Sequence, residues 1–143
     1  MKFSESLVNY MLSTGSANSA LTNFAITLFD GTEPALASDA ITGDTIIMFT
    51  VNNDGTTGMT FSAAASKVMN RTSSESSSGT CLKSATPTHF RIHLVTENPR
   101  TADTFRRVQG TCGPNALYDM IVVNPLVIST TYPLGTLPVT IPL

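Results

Sequence analysis

What most limits the fold of this chain is the rhythm of its apolar runs. Residues 24–29, Phe24-Ala25-Ile26-Thr27-Leu28-Phe29, are apolar with β-branched members, and residues 46–51 form a second continuous apolar run. Turn chemistry closes each: Asp30-Gly31 after the first, Asn52-Asn53-Asp54-Gly55 after the second. Further extended patterns fall at residues 58–61, 68–72, 80–85, 89–95, 105–109, 120–123, 126–129 and 137–141. Asn124-Pro125 breaks the pair before the last, residues 132–135 read as a turn, and Pro138 confines the last to an edge or a strand start. About eight short strands at close intervals predict an all-β fold, an antiparallel β-sandwich with jelly-roll-like or Greek-key connections. Residues 32–43 and 97–103 read as loops. The Ser-rich residues 72–79 fit a solvent-facing edge strand or an exposed loop equally well.

The start of the chain has a different period. Phe3, Leu7 and Met11 recur at i, i+4, i+8, with Val8 and Leu12 widening the stripe, which predicts a short N-terminal helix over 3–13. Gly15 ends it, and a second short turn fits residues 17–21. The stripe either packs on the chain's own core or docks on a partner, so Phe3, Leu7 and Met11 are candidate partner contacts. The 143 residues suit one domain: a helical segment at 1–22 and the sandwich at 23–143.

Charge narrows the function classes. Charged residues make up 13% of the chain, about half the usual share, and Ser and Thr fill about a quarter of it. A net charge of −2 with one small basic cluster, Arg100, Arg106 and Arg107, argues against nucleic-acid binding. No stretch approaches a membrane span. The opening Met1-Lys2-Phe3-Ser4-Glu5 lacks a signal peptide's basic and apolar regions, so synthesis in the cytoplasm is expected. Low charge protects poorly against self-association, which points to a chain that spends its life bound to neighbours.

Signs of catalysis are sparse. On a strand, His89, Arg91 and His93 share one face and Phe90, Ile92 and Leu94 the other, so the first three are expected to line the polar face of a half-buried strand. No nucleophile-elbow pattern, phosphate-binding glycine loop or metal-ligand spacing is present, and no cofactor or metal is expected. Cys81 and Cys112 are expected to be thiols, with a cross-link within or between subunits as the alternative.

Several stretches carry a resemblance. The run Ala25-Ile26-Thr27-Leu28-Phe29-Asp30-Gly31-Thr32-Glu33-Pro34, continuing to Ala40, resembles a segment shared by small virion proteins of tailed bacteriophages, where it also follows a short helix. Gly58-Met59-Thr60-Phe61 with the small residues after it, Ser74-Glu75-Ser76 running to Thr80, and the Thr-rich stretch closing on Phe90-Arg91 are similar to further segments of that family. Where the family more often has Trp after the Glu, this chain has Ser76. The resemblance implies a structural component of a phage particle.

The expected function is therefore a non-enzymatic capsid decoration, or cement, protein. It would bind the major capsid protein or other virion proteins as a symmetric homo-oligomer, a trimer by capsid geometry, after synthesis in the host cytoplasm. A neck, tail or fibre-associated role in the same particle is the alternative. A sugar- or receptor-binding sandwich is a third reading, weakened by the lack of Trp and by only three Tyr residues.

Overall fold

The computed structural model describes residues 1–123, 125–135 and 137–140. Asn124 of the expected break and Ile141, the expected end of the last strand, lie outside them. The chain opens with a two-residue strand, β1 (Lys2–Phe3), then helices α1 (Glu5–Ser13) and α2 (Ala17–Ala20). The strands β2 (Phe24–Phe29), β3 (Thr45–Val51), β4 (Val68–Asn70), β5 (Ser77–Thr80) and β6 (His89–Leu94) follow. The last are β7 (Val108–Gly113), β8 (Met120–Ile121), β9 (Thr131–Pro133) and β10 (Pro138–Thr140).

The strands form an all-β architecture of two unequal layers. The larger is an eight-stranded sheet in the order β1-β7-β6-β2-β3-β5-β9, with β8 pairing β7 off that path. The smaller is the antiparallel pair β10-β4. Among the described residues every strand pairing is antiparallel except β7–β8, which is parallel over Cys112↔Met120 and Gly113↔Ile121. At the open edge, β9 ends in Pro133, whose missing N–H blunts it as a pairing template.

β2 is the centre of the large sheet and is buried along its whole length. Its alternate residues Phe24, Ile26 and Leu28 join Ile47, Phe49, Phe90, Ile92 and Val108 in one apolar cluster. Met69 and Val139 of the small sheet, and Leu7, Ala17, Ala20 and Leu21 of the helical segment, close over it. Phe61 stacks on Phe24 with centroids 4.2 Å apart. The helix therefore serves the chain's own core.

That settles the position of the three candidate partner contacts. Phe3 is not helical but sits in β1, paired with Val108. Leu7 is fully buried, and Met11 and Phe3 are partly buried against the same cluster. The expectation that Phe3, Leu7 and Met11 meet a partner is corrected to this extent: Leu7 is wholly committed inside the fold, and Leu12, at 81% exposed, is the large apolar side chain of α1 that faces water. Ser4 fixes the start of the helix. Its Oγ accepts from Leu7 N at 3.3 Å and from Arg107 N at 2.9 Å, and it donates to Phe105 O at 2.9 Å.

Several boundaries differ from the sequence expectation. The strand expected at 80–85 ends at Thr80, and that expected at 105–109 begins at Val108 and runs through Gly110 to Gly113. Residues 58–61 and 126–129 contribute only isolated bridges, Met59↔Phe24, Phe61↔Arg71 and Leu126↔Ala85. The turn expected at 132–135 begins as β9. The Ser-rich stretch divides: residues 72–76 form a largely exposed turn, one of the two expected forms, while 77–79 enter an interior strand, because β5 lies between β3 and β9.

Small side chains make that interior strand possible. Ser, Gly and Thr are not all good strand formers, but a Cβ on Gly79 would lie 2.4 Å from the Met48 carbonyl oxygen and 2.8 Å from Ile47 Cγ1. Only a residue without a Cβ lets β5 approach β3 this closely. Gly79→Ala should therefore destabilise the fold by about 2 kcal/mol or more, as overpacking against backbone does. Denaturant unfolding checks this; an unchanged midpoint would show that β5 does not pack as described.

Candidate functional site

The second face of the large sheet is polar and buried. Lys2, Gln109, Arg91, Thr27 and Met48 stand in one cross-strand row from β1 to β3. His89 and His93 flank Arg91 on the same face of β6. His89, Arg91, His93, Arg107 and Gln109 are all 0% exposed. The expectation of a half-buried strand with a solvent-facing polar side is thus overturned. Two connections without regular strand or helix, residues 30–44 and 95–107, cover that face.

The polar side chains hold those connections by their backbone. Arg91 donates to Pro99 O at 2.7 Å and Asp39 O at 3.0 Å, so one guanidinium bridges both connections, and it also meets Gln109 Oε1. Gln109 Nε2 donates to Pro34 O at 2.9 Å, beside Lys2 Nζ, which reaches the same carbonyl at 2.9 Å. Arg107 donates to Thr101 O at 2.8 Å and Asn98 O at 3.1 Å, and its Nε stands 3.4 Å from Glu97 Oε2. The connections also bond to each other, through Ile41 N to Arg100 O at 2.9 Å and Asp103 N to Ser38 O at 3.0 Å. Carbonyls that loops usually give to water are here given to arginine.

Burial sets the protonation of the layer. His93 Nδ1 lies 2.8 Å from the Leu94 carbonyl, which only accepts, so this nitrogen carries the proton. His93 Nε2 then accepts from the Thr27 hydroxyl at 2.8 Å. Burial, reinforced by the Arg107 and Arg91 charges, pulls the imidazole down to about 4. His89 is also lowered by burial; it stacks on Phe29, its Nδ1 meets Thr88 Oγ1, and its Nε2 has no partner among the described residues. Arg91 is drawn down to about 10, first by burial and then by Arg107, and stays charged at neutral pH. Burial pushes the Glu97 carboxyl up against the pull of Arg107.

The two cysteines are free and buried. Cys81 Sγ lies 3.1 Å from Lys83 O, and burial pushes the Cys112 thiol up to about 12. A cross-link between subunits would need one of them at the surface, and each is 1% exposed. Among the described residues, no group of three or more His, Cys, Asp or Glu side chains is placed to hold a metal ion. No described helix is long and apolar enough to cross a membrane.

The accessible feature lies elsewhere, on the segment from 117 to 128. Leu117 is 91% exposed, Val123 68% and Ile121 64%; Val127 and Ile128 are about half exposed. The sequence reading made residues 120–123 and 126–129 strands, broken at Asn124-Pro125. Among the described residues of these two segments only Met120 and Leu126 are buried, because the pairing covers two residues in β8 and one bridge at Leu126. Ile121 stands between two clefts. One, of about 120 Å³, is lined by Phe49, Met120, Leu126, Tyr132 and Leu134; the other, of about 450 Å³, by Tyr118, Asp119, Leu137 and Pro138. The absence of charge from residues 120–140 was the available signal, and the strand pattern masked it.

The buried histidine gives the fold a pH dependence. In the unfolded chain His93 takes up a proton near its ordinary value of about 6.5, but in the fold only near 4. Stability should therefore fall as pH drops from about 6.5 and level off below about 4, losing on the order of 3 kcal/mol. Denaturant unfolding across this window checks it. The pH slope should be shallower in His93→Gln; an identical slope in the two proteins would contradict the assignment.

Compared with known proteins, the chain matches no family model, and no curated protein or solved structure is similar to it.

Proposed function

We propose that this chain is a structural protein of a tailed-phage particle that binds the capsid shell as a decoration, or cement, protein. The observation that carries this reading is the run of exposed apolar side chains Ile121, Val123, Val127 and Ile128, in a stretch (120–140) without Asp, Glu, Lys or Arg, on a body whose long connections are held down. Large apolar surface of this kind is normally covered in an assembly. The segment resemblances at 25–40, 58–69, 74–80 and 85–91 support the same reading. A cement subunit needs a shape-stable body and a surface that gains from repetition over a lattice, where many weak contacts add up. The reading places the chain in the virion, bound to the major capsid protein as a symmetric oligomer, with no catalytic step of its own.

Quantitative mass spectrometry of purified particles tests it. A copy number comparable with that of the major capsid protein, or a fixed large fraction of it, is expected. A handful of copies would move the protein to the neck, tail or fibres, and its absence from particles would overturn the reading.

A further inference from the structure

We infer that the exposed hairpin tip at 62–67 is a proteolytic processing site, where an endoprotease specific for a basic residue hydrolyses the Lys67–Val68 bond first and leaves the body of the fold intact. Water adds across that peptide bond, Lys67 keeping the new carboxylate and Val68 the new amine. The inference goes beyond the virion reading and does not depend on it.

The tip is loosely tied. Every residue from Ser62 to Lys67 is exposed. Ser62 N donates to Asn70 O at 2.8 Å. Beyond it the described backbone bonds that close the tip are Ala65 N to Val68 O at 3.0 Å and Val68 N to Ala65 O at 2.9 Å. These pairings differ in register by one residue, so Ala63 and Ala64 form a bulge that interrupts the ladder. Ser66 and Lys67 turn the corner with φ of 49° and 68°. Hairpin turns with positive φ at both central residues favour Asn, Asp and Gly, because other side chains crowd the backbone there. Opening the tip releases that crowding and breaks few bonds, and cleavage by a protease follows such local opening.

Lysine at this place matters because the other basic residues are engaged. Lys2 meets Glu33 and the Pro34 carbonyl, and Lys83 bridges Asp30 and Asp44. Arg71 donates to Thr72 O, Glu75 O and Ser77 Oγ, and Arg106 lies over the Tyr10 ring. Arg91 and Arg107 are sealed beneath the connections. Arg100 is exposed, but its carbonyl accepts from Ile41 N inside the held layer. Among the described residues, Lys67 meets no carboxylate. The ends made by the cut stay anchored. On one side Phe61 is buried and stacks on Phe24; on the other Met69 is buried and β4 keeps its pairing with β10. Phe61, Phe24, Met69 and Val139 belong to one apolar cluster, which holds the two halves together.

Limited digestion of the purified full chain with trypsin at neutral pH, followed by intact-mass analysis, tests the inference. The first products should be 1–67 and 68–143, eluting together at the size of the uncut chain and separating in denaturant. Lys67→Gln should lose intact chain at least about tenfold more slowly, since the next bond waits for a rarer opening. Ser66→Asn, which suits a positive φ, should slow the cut after Lys67 without lowering the thermal midpoint. First cleavage at Arg100 or any other bond, halves that part without denaturant, or Lys67→Gln digested as fast as the wild type would overturn the inference.

Discussion

A guanidinium sealed from water needs carbonyl oxygens around it, and the position of Arg91 decides what most of this fold must do. It sits at the middle of β6, fully buried, with carbonyls from two different connections and the Gln109 amide oxygen about it. Removing a buried charge's partners is costly, so the connections cannot lift away without stranding it. In return they need no helix or strand of their own. Arg107 repeats the arrangement one strand over, on Thr101 and Asn98. The sheet thus has an apolar face closed by side-chain packing and a polar face closed by hydrogen bonds to loop backbone.

This division explains how a chain with so few charges is built. Of its eight Lys and Arg residues, two are spent inside as clamps, and Lys2 and Lys83 are tied to acidic partners at Glu33, Asp30 and Asp44. The remaining surface is hydroxyl-rich and, along 117–128, apolar. A body of this kind is held firmly on one side and offers a covering-seeking surface on another. Those are the properties a lattice-bound structural subunit uses, and they underlie the proposed place on a capsid shell.

The sequence made the fold class readable because β2, β3 and β6 are long runs with clear periods and turn chemistry at their ends. Phe24–Phe29 was legible to the residue, since nothing competes with it. The failures have physical causes. β5 is built of Ser, Gly and Thr and forms because Gly79 can lie against the Met48 carbonyl, a tertiary fact with no local pattern. The polar face of β6 was visible as His89, Arg91 and His93, but its burial was not, because the cover comes from loops distant in sequence. The segment 117–128 misled in the opposite direction: apolar runs signal a core only when something packs on both sides of them. Phe3, Leu7 and Met11 gave the right stripe on partly the wrong element, since Phe3 pairs with β7 before the helix begins.

The central claim is that buried arginines turn the 30–44 and 95–107 connections into a fixed outer layer. Hydrogen–deuterium exchange at single-amide resolution tests it most directly, at Ile41 N and Asp103 N, which bond across the two connections. If the layer is fixed, both amides should exchange as slowly as those of β2 and β6, through global unfolding alone. Exchange at ordinary loop rates, while β2 stays protected, would contradict the account and reduce the connections to loops that merely rest on the sheet.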